Sequence, residues 1–245
     1  MKKFMSSLKR ILALARKELF SWIISPSLWA ITVFFLLFVS IWFFYLQRFF
    51  AMDTATLRPF FSAFPIVFIL VIPVLTMKAW AEEKKLGSAE ILFTLPFAEW
   101  ELVLGKFLSC LVLLAAMLFL TIPVPLSLFP LGYFDLTRIF VEYSGAFLLG
   151  STAAALGLFL SSVSKSQGAA FMGSAAVLLA ATLANNFSSY LPPFISSLVN
   201  YFSLSFHFES FSRGLLDSRD IAYFLLSAGF FLFLNIQVLV FRKWS

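Results

Sequence analysis

The amino-acid sequence predicts an all-α polytopic membrane protein with six transmembrane helices. Two features of its composition predict this class: 61% of the 245 residues are hydrophobic, and only 12% are charged. Soluble domains have about a quarter charged and about half apolar residues. The third observation is that the apolar residues form six stretches close to the ~20 residues that a helix needs to cross the hydrocarbon core.

The N-terminal residues 1–21 are expected to form an amphipathic helix that lies in the membrane surface. Apolar residues recur there at helical spacing, with Lys and Arg between them. Such a helix buries its apolar face at the headgroup boundary and keeps its basic face in water. A basic tail that only sets the orientation of the first span is the alternative.

The six predicted transmembrane helices belong to one transmembrane domain that covers residues 1–245. They are residues 22–46, 60–77, 107–129, 139–163, 168–187 and 221–241. The second is the shortest and contains Pro65 and Pro73, which membrane helices tolerate, usually with a kink. Residues 188–220 form a long external segment, in which we expect one or two short helices at the outer leaflet.

The distribution of basic residues predicts that both termini lie in the cytoplasm. Thirteen of the 18 Lys and Arg residues fall on the side that holds the termini. Lys and Arg concentrate on the cytoplasmic side of a bilayer, and Trp favours its interfaces. Tryptophans at the predicted cytoplasmic ends agree with this orientation: Trp22, Trp80, Trp100 and Trp244.

Small residues recur every four positions in the fourth and fifth spans. In span four they include Gly150 and Gly157, and in span five they are Ala176, Ala180 and Ala184. Small residues on one helix face let two helices approach closely. We therefore expect these spans to pack inside the bundle or at a subunit interface.

The segment 78–106, between spans two and three, differs from its surroundings because it contains nine charged residues. Span two can continue as a helix until Gly87 breaks it. Ser88 is a suitable N-cap, Glu90 complements the dipole of a following first turn, and Pro96 ends the short helix. A new helix starts near Glu99. The pattern predicts a short helix held crosswise at the cytoplasmic surface, with a solvated loop as the alternative.

This segment resembles a known family of membrane proteins. Residues 81–96 followed by 101–106 closely resemble the signature of ABC-2 type transporter permeases, most of all the gliding-motility-type branch. Residues 157–163 and 207–220 extend the resemblance over nearly the whole chain. The pair Ser88-Ala89 departs from the family pattern, where Thr followed by a larger apolar residue is usual.

The resemblance implies an exporter subunit in the bacterial cytoplasmic (inner) membrane. In the family, the helix after span two is a coupling helix that docks into a cleft of a separate ATP-binding subunit. Two permease subunits, identical or related, work with two ATPases, and ATP-driven closure reopens the spans toward the outside. The expected partners are the ATP-binding subunit, a second permease and the lipid bilayer, with no nucleic acid. The expected contact residues are Glu82, Glu83, Lys84, Gly87, Ser88, Glu90, Thr94 and Pro96.

The sequence predicts no catalytic site, metal site or cofactor of its own. Its only Gly-Lys pair, Gly105-Lys106, has Trp100 and Phe107 where a phosphate-binding loop needs Gly and Ser or Thr. ATP is therefore expected to be bound by the partner subunit. The single histidine, His207, cannot form a two-histidine metal motif and is expected to be structural.

Glu142 is the only charged residue well inside a predicted span, one turn from its outer end. Carboxylates are costly in lipid, so it is either an interface anchor or a group with a pathway or packing role. The alternative functions are an ion-coupled secondary transporter, a channel-type membrane protein and a membrane-embedded enzyme. The absence of a midplane acid, of a convincing repeat and of a nucleophile motif argues against the carrier and the enzyme.

Overall fold

The computed structural model describes residues 2–51, 56–85, 87, 97–131, 134–187 and 192–243. These residues form helices joined by short turns and contain no strand. We number the α-helices in chain order: α1 Lys2–Ile24, α2 Pro26–Ile41, α3 Arg58–Phe61, α4 Ala63–Lys85, α5 Glu99–Thr121, α6 Pro123–Leu128, α7 Leu136–Val163, α8 Gln167–Phe187, α9 Pro193–Phe202, α10 Leu204–Ser212 and α11 Ser218–Lys243.

The predicted number of membrane-spanning helices is confirmed within the described residues. Six helical stretches are long and apolar enough to cross a membrane: Pro26–Leu46, Arg58–Lys85, Glu99–Leu128, Leu136–Val163, Gln167–Phe187 and Ser218–Phe241. We call them spans one to six. Spans two and three extend beyond the predicted transmembrane bounds, because their helices continue into the charged segment that joins them, to Lys85 and from Glu99 as the sequence predicted.

The first span begins four residues later than the sequence predicted. Trp22 belongs to the N-terminal helix α1, which continues to Ile24, and Ser25 is extended with ψ at 125°. Pro26 occupies the first turn of α2, where its missing N–H costs nothing. The ring of a proline disfavours helical conformation in the residue before it, so the chain breaks at Ser25.

Spans two and four form the centre of the bundle, and each is 72% buried. Gly157 of span four lies against Thr76 of span two, whose Cβ would be 3.0 Å from an added Cβ. At Gly150, an added Cβ would lie 2.6 Å from Leu114 of span three. The small residues of span four therefore pack inside the bundle, as the sequence predicted.

Span five is different, because most of its small-residue stripe is on the surface of the chain. Ala176 and Ala180 are exposed, and only 22% of the span is buried. Span six is equally exposed, and span one is 33% buried. These apolar faces can contact lipid or another subunit, and a subunit interface at span five stays a prediction.

The segment between spans five and six contains two short helices, which we call the hairpin (α9 and α10, residues 193–212). They meet at Ser203, which has an extended conformation with ψ at 125°. The helical prediction for this segment is thus confirmed. The hairpin lies at the end of the bundle opposite to the charged segment, because it joins the ends of spans five and six that lie farthest from Lys85.

Candidate functional site

The candidate site is the base of the charged segment between spans two and three, which we call the elbow (residues 78–106). Helix α4 ends at Lys85, and Gly87 follows with φ at 70°, a conformation that favours glycine. Helix α5 then starts at Glu99, as predicted. The predicted contact residues Ser88, Glu90, Thr94 and Pro96, and most of the predicted short helix, lie outside the described residues.

Lys106 is the centre of an ion-pair cluster at this base. Its side chain is only 2% exposed, although it lies about two turns inside α5. Its Nζ atom lies 2.7 Å from Glu83 Oε1 of α4 and 3.2 Å from Glu18 Oε1 of α1. The same atom is 4.9 Å from the ring centre of Trp80, within cation–π range. One cation therefore joins three helices, and we call Lys106, Glu18 and Glu83 the triad.

A second cation joins span two to span four. Lys84 Nζ donates hydrogen bonds to the backbone carbonyls of Ser161 (3.3 Å), Ser162 and Ser164 (3.1 Å). The last carbonyls of a helix lack intrahelical partners and carry the negative end of its dipole, which a cation stabilises. Lys84 therefore caps α7 from the side.

The hydroxyl group of Ser161 strengthens the contact between the same two spans. It donates to the carbonyl of Met77 at 3.1 Å and lies within 3.2–3.3 Å of the backbone N–H groups of Trp80 and Ala81. Three polar atoms of span two thus surround one side chain of span four. Together with Lys84, this contact fixes the end of α7 to the elbow base.

Glu101 attaches the N-terminal helix to the start of span three. Its side chain is 1% exposed and forms an ion pair with Arg10 of α1 at 3.0 Å. Its Oε2 atom also accepts a hydrogen bond from the backbone N–H of Ala98 at 3.1 Å, which satisfies a free donor at the start of α5. Helix α1 is thus held at two points, Glu18 and Arg10, about two turns apart.

A cavity of about 310 Å³ lies beside the triad, between α1, α4 and α5. Its wall is rich in charge and includes Lys17, Lys78 and Glu82 as well as all three members of the triad. The side chains of Glu18 and Glu83 are each 16% exposed, and both line this cavity. The triad is therefore partly hydrated on one side and packed on the other.

The four predicted contact residues that are described have different surroundings. Glu83 and Lys84 point into the protein, where they bind Lys106 and the end of α7. Glu82 lines the cavity, and Gly87 is exposed, with no side-chain or backbone atom of the described residues within 4 Å of a Cβ added there. The elbow base thus divides into inward-facing residues that hold helices together and residues that face outward.

Lys106 and Glu18 were not among the site residues predicted from the sequence. Lys106 was placed at the boundary of span three, whereas it lies on the buried face of α5 with Leu102 and Leu113. Leu102 and Leu113, at i−4 and i+7 from Lys106, lie on the same helix face, and this spacing was the signal in the sequence that Lys106 points inward. Trp80 is also buried under Lys106, so its ring packs inside the protein, and its depth at the headgroup layer stays a prediction.

Glu142 and Gly150 lie far from the elbow base. Glu142 is 1% exposed, and its Oε1 atom lies 3.5 Å from Arg138 Nε, one turn earlier on α7. Arg138 also donates to the carbonyl of Ser212 at 3.0 Å, which attaches span four to the end of the hairpin. Glu142 is thus a buried, paired carboxylate beside the hairpin, and its pathway or packing role stays a prediction.

These observations define a class of protein: a multi-span helical membrane protein in which ion pairs join three helices at a charged elbow and hydrogen bonds attach this elbow to a fourth helix. In the part of the chain that the structure describes, no group of three or more possible metal ligands occurs. The model of ABC-2 family transporter proteins matches residues 12–205, and the chain belongs to this family. No curated protein matches the chain.

Membership of the ABC-2 family has direct consequences for the function of this chain. ABC-2 permeases are the membrane components of transporters and generally have no catalytic activity of their own. They generally work with an ATP-binding subunit. The chain is therefore a multi-pass membrane permease, and its relation to the gliding-motility branch stays a prediction.

Proposed function

We propose that this chain is the membrane-spanning subunit of an ABC exporter in a bacterial cytoplasmic membrane. Both termini and the elbow face the cytoplasm, and the chain pairs with a second identical or related permease. A separate ATP-binding subunit docks on the elbow, binds and hydrolyses ATP, and drives the spans between two arrangements.

The observation that supports this proposal most is the set of contacts at the elbow base. A transmitting element must be rigid, so that a displacement at one end reaches the other. Lys106 ties α5 to α4 and α1, and Lys84 ties α4 to α7. A push on the elbow therefore moves spans two, three and four together with α1, instead of bending a free loop.

We assign the predicted contact residues to two roles. Gly87, with Ser88, Glu90, Thr94 and Pro96 after it in the sequence, belongs to the docking part. Glu83 and Lys84 belong to the transmitting part, because their side chains are bound within this chain. Changes in the docking part should release the ATPase, whereas changes in the transmitting part should leave it bound and weaken coupling.

The test of docking is co-purification. The chain is tagged, extracted from its native membrane in mild detergent, and examined for a bound protein with a phosphate-binding loop. Gly87→Val should abolish this association, because a β-branched residue strongly disfavours φ at 70° and redirects the elbow. Gly168→Val is the matched control, since Gly168 lies in open space at the same end of the bundle.

Equal association in both variants would contradict the docking assignment, and the absence of any ATPase from the wild-type preparation would contradict the proposed function.

The direction of transport is tested in vesicles that contain the complex. An exporter should accumulate cargo in inverted vesicles only when ATP is added outside. ATP-dependent uptake into right-side-out vesicles, with ATP enclosed, would instead show an importer.

A further inference from the structure

The cavity beside the triad is lined by more charged groups than the triad contains. Lys106 binds the two carboxylates of the triad, and Lys17 Nζ lies 3.9 Å from one of them, at Glu18 Oε1. The charges of these four groups cancel, which leaves Lys78 and Glu82. The full set of charged residues in the wall is three lysines and three glutamates: Lys17, Lys78, Lys106, Glu18, Glu82 and Glu83.

Lys78 and Glu82 have no oppositely charged partner within the residue ranges described above. Lys78 Nζ donates to the hydroxyl group of Ser27 at 3.0 Å and lies 5.3 Å from the ring centre of Trp22, and both of these groups are neutral. Glu82 follows one turn later on α4. A lysine four residues before a glutamate is the less favourable order for pairing on one helix. The cavity wall therefore presents an ammonium group and a carboxylate that are near each other but not paired.

The mouth of this cavity lies along α1, next to an apolar surface. Lys17 and Ser21 line the cavity and are exposed, so the cavity reaches the surface of the protein there. Phe20 and Ile24 follow them at three residues and are 65% and 66% exposed. Residues three apart are neighbours on a helix, so a polar row borders an apolar row. With α1 in its predicted position in the membrane surface, an amphipathic ligand can reach both rows.

We propose that this cavity binds the headgroup of a phospholipid that carries ethanolamine, with the phosphate at Lys78 and the ammonium group at Glu82. Two carbon atoms separate the charged ends of this headgroup, and the two residues are one helical turn, about 5.4 Å, apart. The cavity of about 310 Å³ is at the lower end of the size range of ligand sites, so it accommodates a headgroup and not a whole lipid. The acyl chains lie outside it, along the apolar row of α1.

The cavity provides donors for the phosphate and an acceptor for the ammonium group. A lysine has three N–H groups, and Lys78 uses one of them on Ser27, so two remain for the phosphate. The hydroxyl group of Ser21 lines the same cavity and is a further donor. The carboxylate of Glu82 accepts a charge-assisted hydrogen bond from the ammonium group. One ligand thus satisfies both charged groups that the described residues leave without a counter-ion.

The balance of charge in the wall selects among phospholipids. Phosphatidylglycerol has the phosphate but no cation, so it leaves Glu82 unpaired and adds a negative charge beside it. Phosphatidylcholine has a cation without an N–H group, so it cannot donate to the carboxylate. Because a hydrogen bond to a charged group is lost in each case, we expect phosphatidylethanolamine to bind on the order of tenfold more tightly than either.

The test uses the purified full-length chain without the ATPase, so its outcome is independent of the proposed function. The chain is exchanged into micelles with equal amounts of phosphatidylethanolamine and phosphatidylglycerol, and the bound lipid is identified by native mass spectrometry. The wild type should retain about tenfold more phosphatidylethanolamine. Glu82→Gln should retain the two lipids equally, and Glu82→Lys should prefer phosphatidylglycerol. General damage to the fold would weaken binding of both lipids without inverting the preference.

Lys78→Gln tests the phosphate end of the site. It should weaken the binding of both lipids by about tenfold, because both carry the phosphate. Lys85→Gln is the matched control, since Lys85 is an exposed cation of the same helix that does not line the cavity. Its lipid binding should equal that of the wild type.

A water-soluble headgroup separates a lipid from a free compound. Glycerophosphoethanolamine should displace the bound lipid only at far higher concentration, because it lacks the acyl chains. Displacement at the concentration of the lipid itself would overturn the assignment to a lipid. Equal retention of the two lipids by the wild type, or an unchanged preference in Glu82→Gln, would overturn the site.

Discussion

Replacement of Lys106 by Met is the most informative single change, because it removes the cation from the triad and keeps a side chain of similar length that favours a helix. Both carboxylates contact the same Nζ atom, at 2.7 Å and 3.2 Å. Their nearest oxygens are therefore at most about 6 Å apart, and without the cation they repel each other by about 3 kcal/mol at an effective dielectric constant of ~20.

This value agrees with the ~3–5 kcal/mol that is typical when one partner of a buried ion pair is removed. The lower end applies here, since Glu18 and Glu83 are each 16% exposed and can turn toward the cavity. By the scaling of soluble proteins of this size, about 3 kcal/mol corresponds to a fall in the melting temperature of about 6–12 °C. Lys17→Met is the matched control: Lys17 is 66% exposed, so its change should cost about 0.5 kcal/mol or less.

Two measurements test this prediction. Thermal unfolding in detergent should show the fall in stability, and the Glu18→Gln/Glu83→Gln/Lys106→Met variant should recover most of it, because neutral amides do not repel. In the complex with its ATPase, Lys106→Met should keep ATP hydrolysis but transport less cargo for each ATP. Equal stability of Lys106→Met and Lys17→Met, or a triple variant no more stable than Lys106→Met alone, would show that Lys106 does not hold these carboxylates together.

Two further predictions concern packing and sidedness. Gly157→Ala should destabilise the bundle by about 1–3 kcal/mol, because the added methyl group clashes with the β-branched side chain of Thr76. Gly173→Ala, in open space, is the control and should be neutral or stabilising. Equal unfolding temperatures of the two variants would show that spans two and four pack less tightly than described. A cysteine at the exposed Lys85 should react with a membrane-impermeant maleimide only in inverted vesicles, and one at the exposed Leu216 only from outside the cell. The opposite pattern would overturn the predicted orientation.

The sequence predicted the spans well because a membrane helix is defined by local properties, namely length and apolar composition. It also predicted the end of α4 before Gly87 and the start of α5 near Glu99, since helix ends depend on a few adjacent residues. The start of span one was misplaced because the apolar residues Trp22–Ile24 run directly into it. Pro26, at the start of α2, was the local signal for the break.

The polar partners were not predictable in the same way. Lys106 meets Glu18 across 88 positions of sequence and Lys84 meets Ser162 across 78, so these contacts exist only after the helices have packed. His207 was expected to be structural. Its partner Asp220 could not be predicted, because it belongs to another helix. From sequence alone, a charged residue beside an apolar run looks like an interface residue, and only its helical register indicates that it points inward.

The break at Ser25 means that the helix next to α1 in the chain is not the helix to which the charged side chains of α1 are bound. Helix α1 is bonded covalently to span one through this single extended residue, but Arg10 and Glu18 form their ion pairs with span three, at Glu101 and Lys106. Span one has its own attachments to span two, since Lys78 Nζ donates to Ser27 Oγ at 3.0 Å and Phe35 stacks on Phe64 and Phe68. The N-terminal helix is therefore a strut of the central helices, and a displacement of the elbow is expected to carry α1 with it.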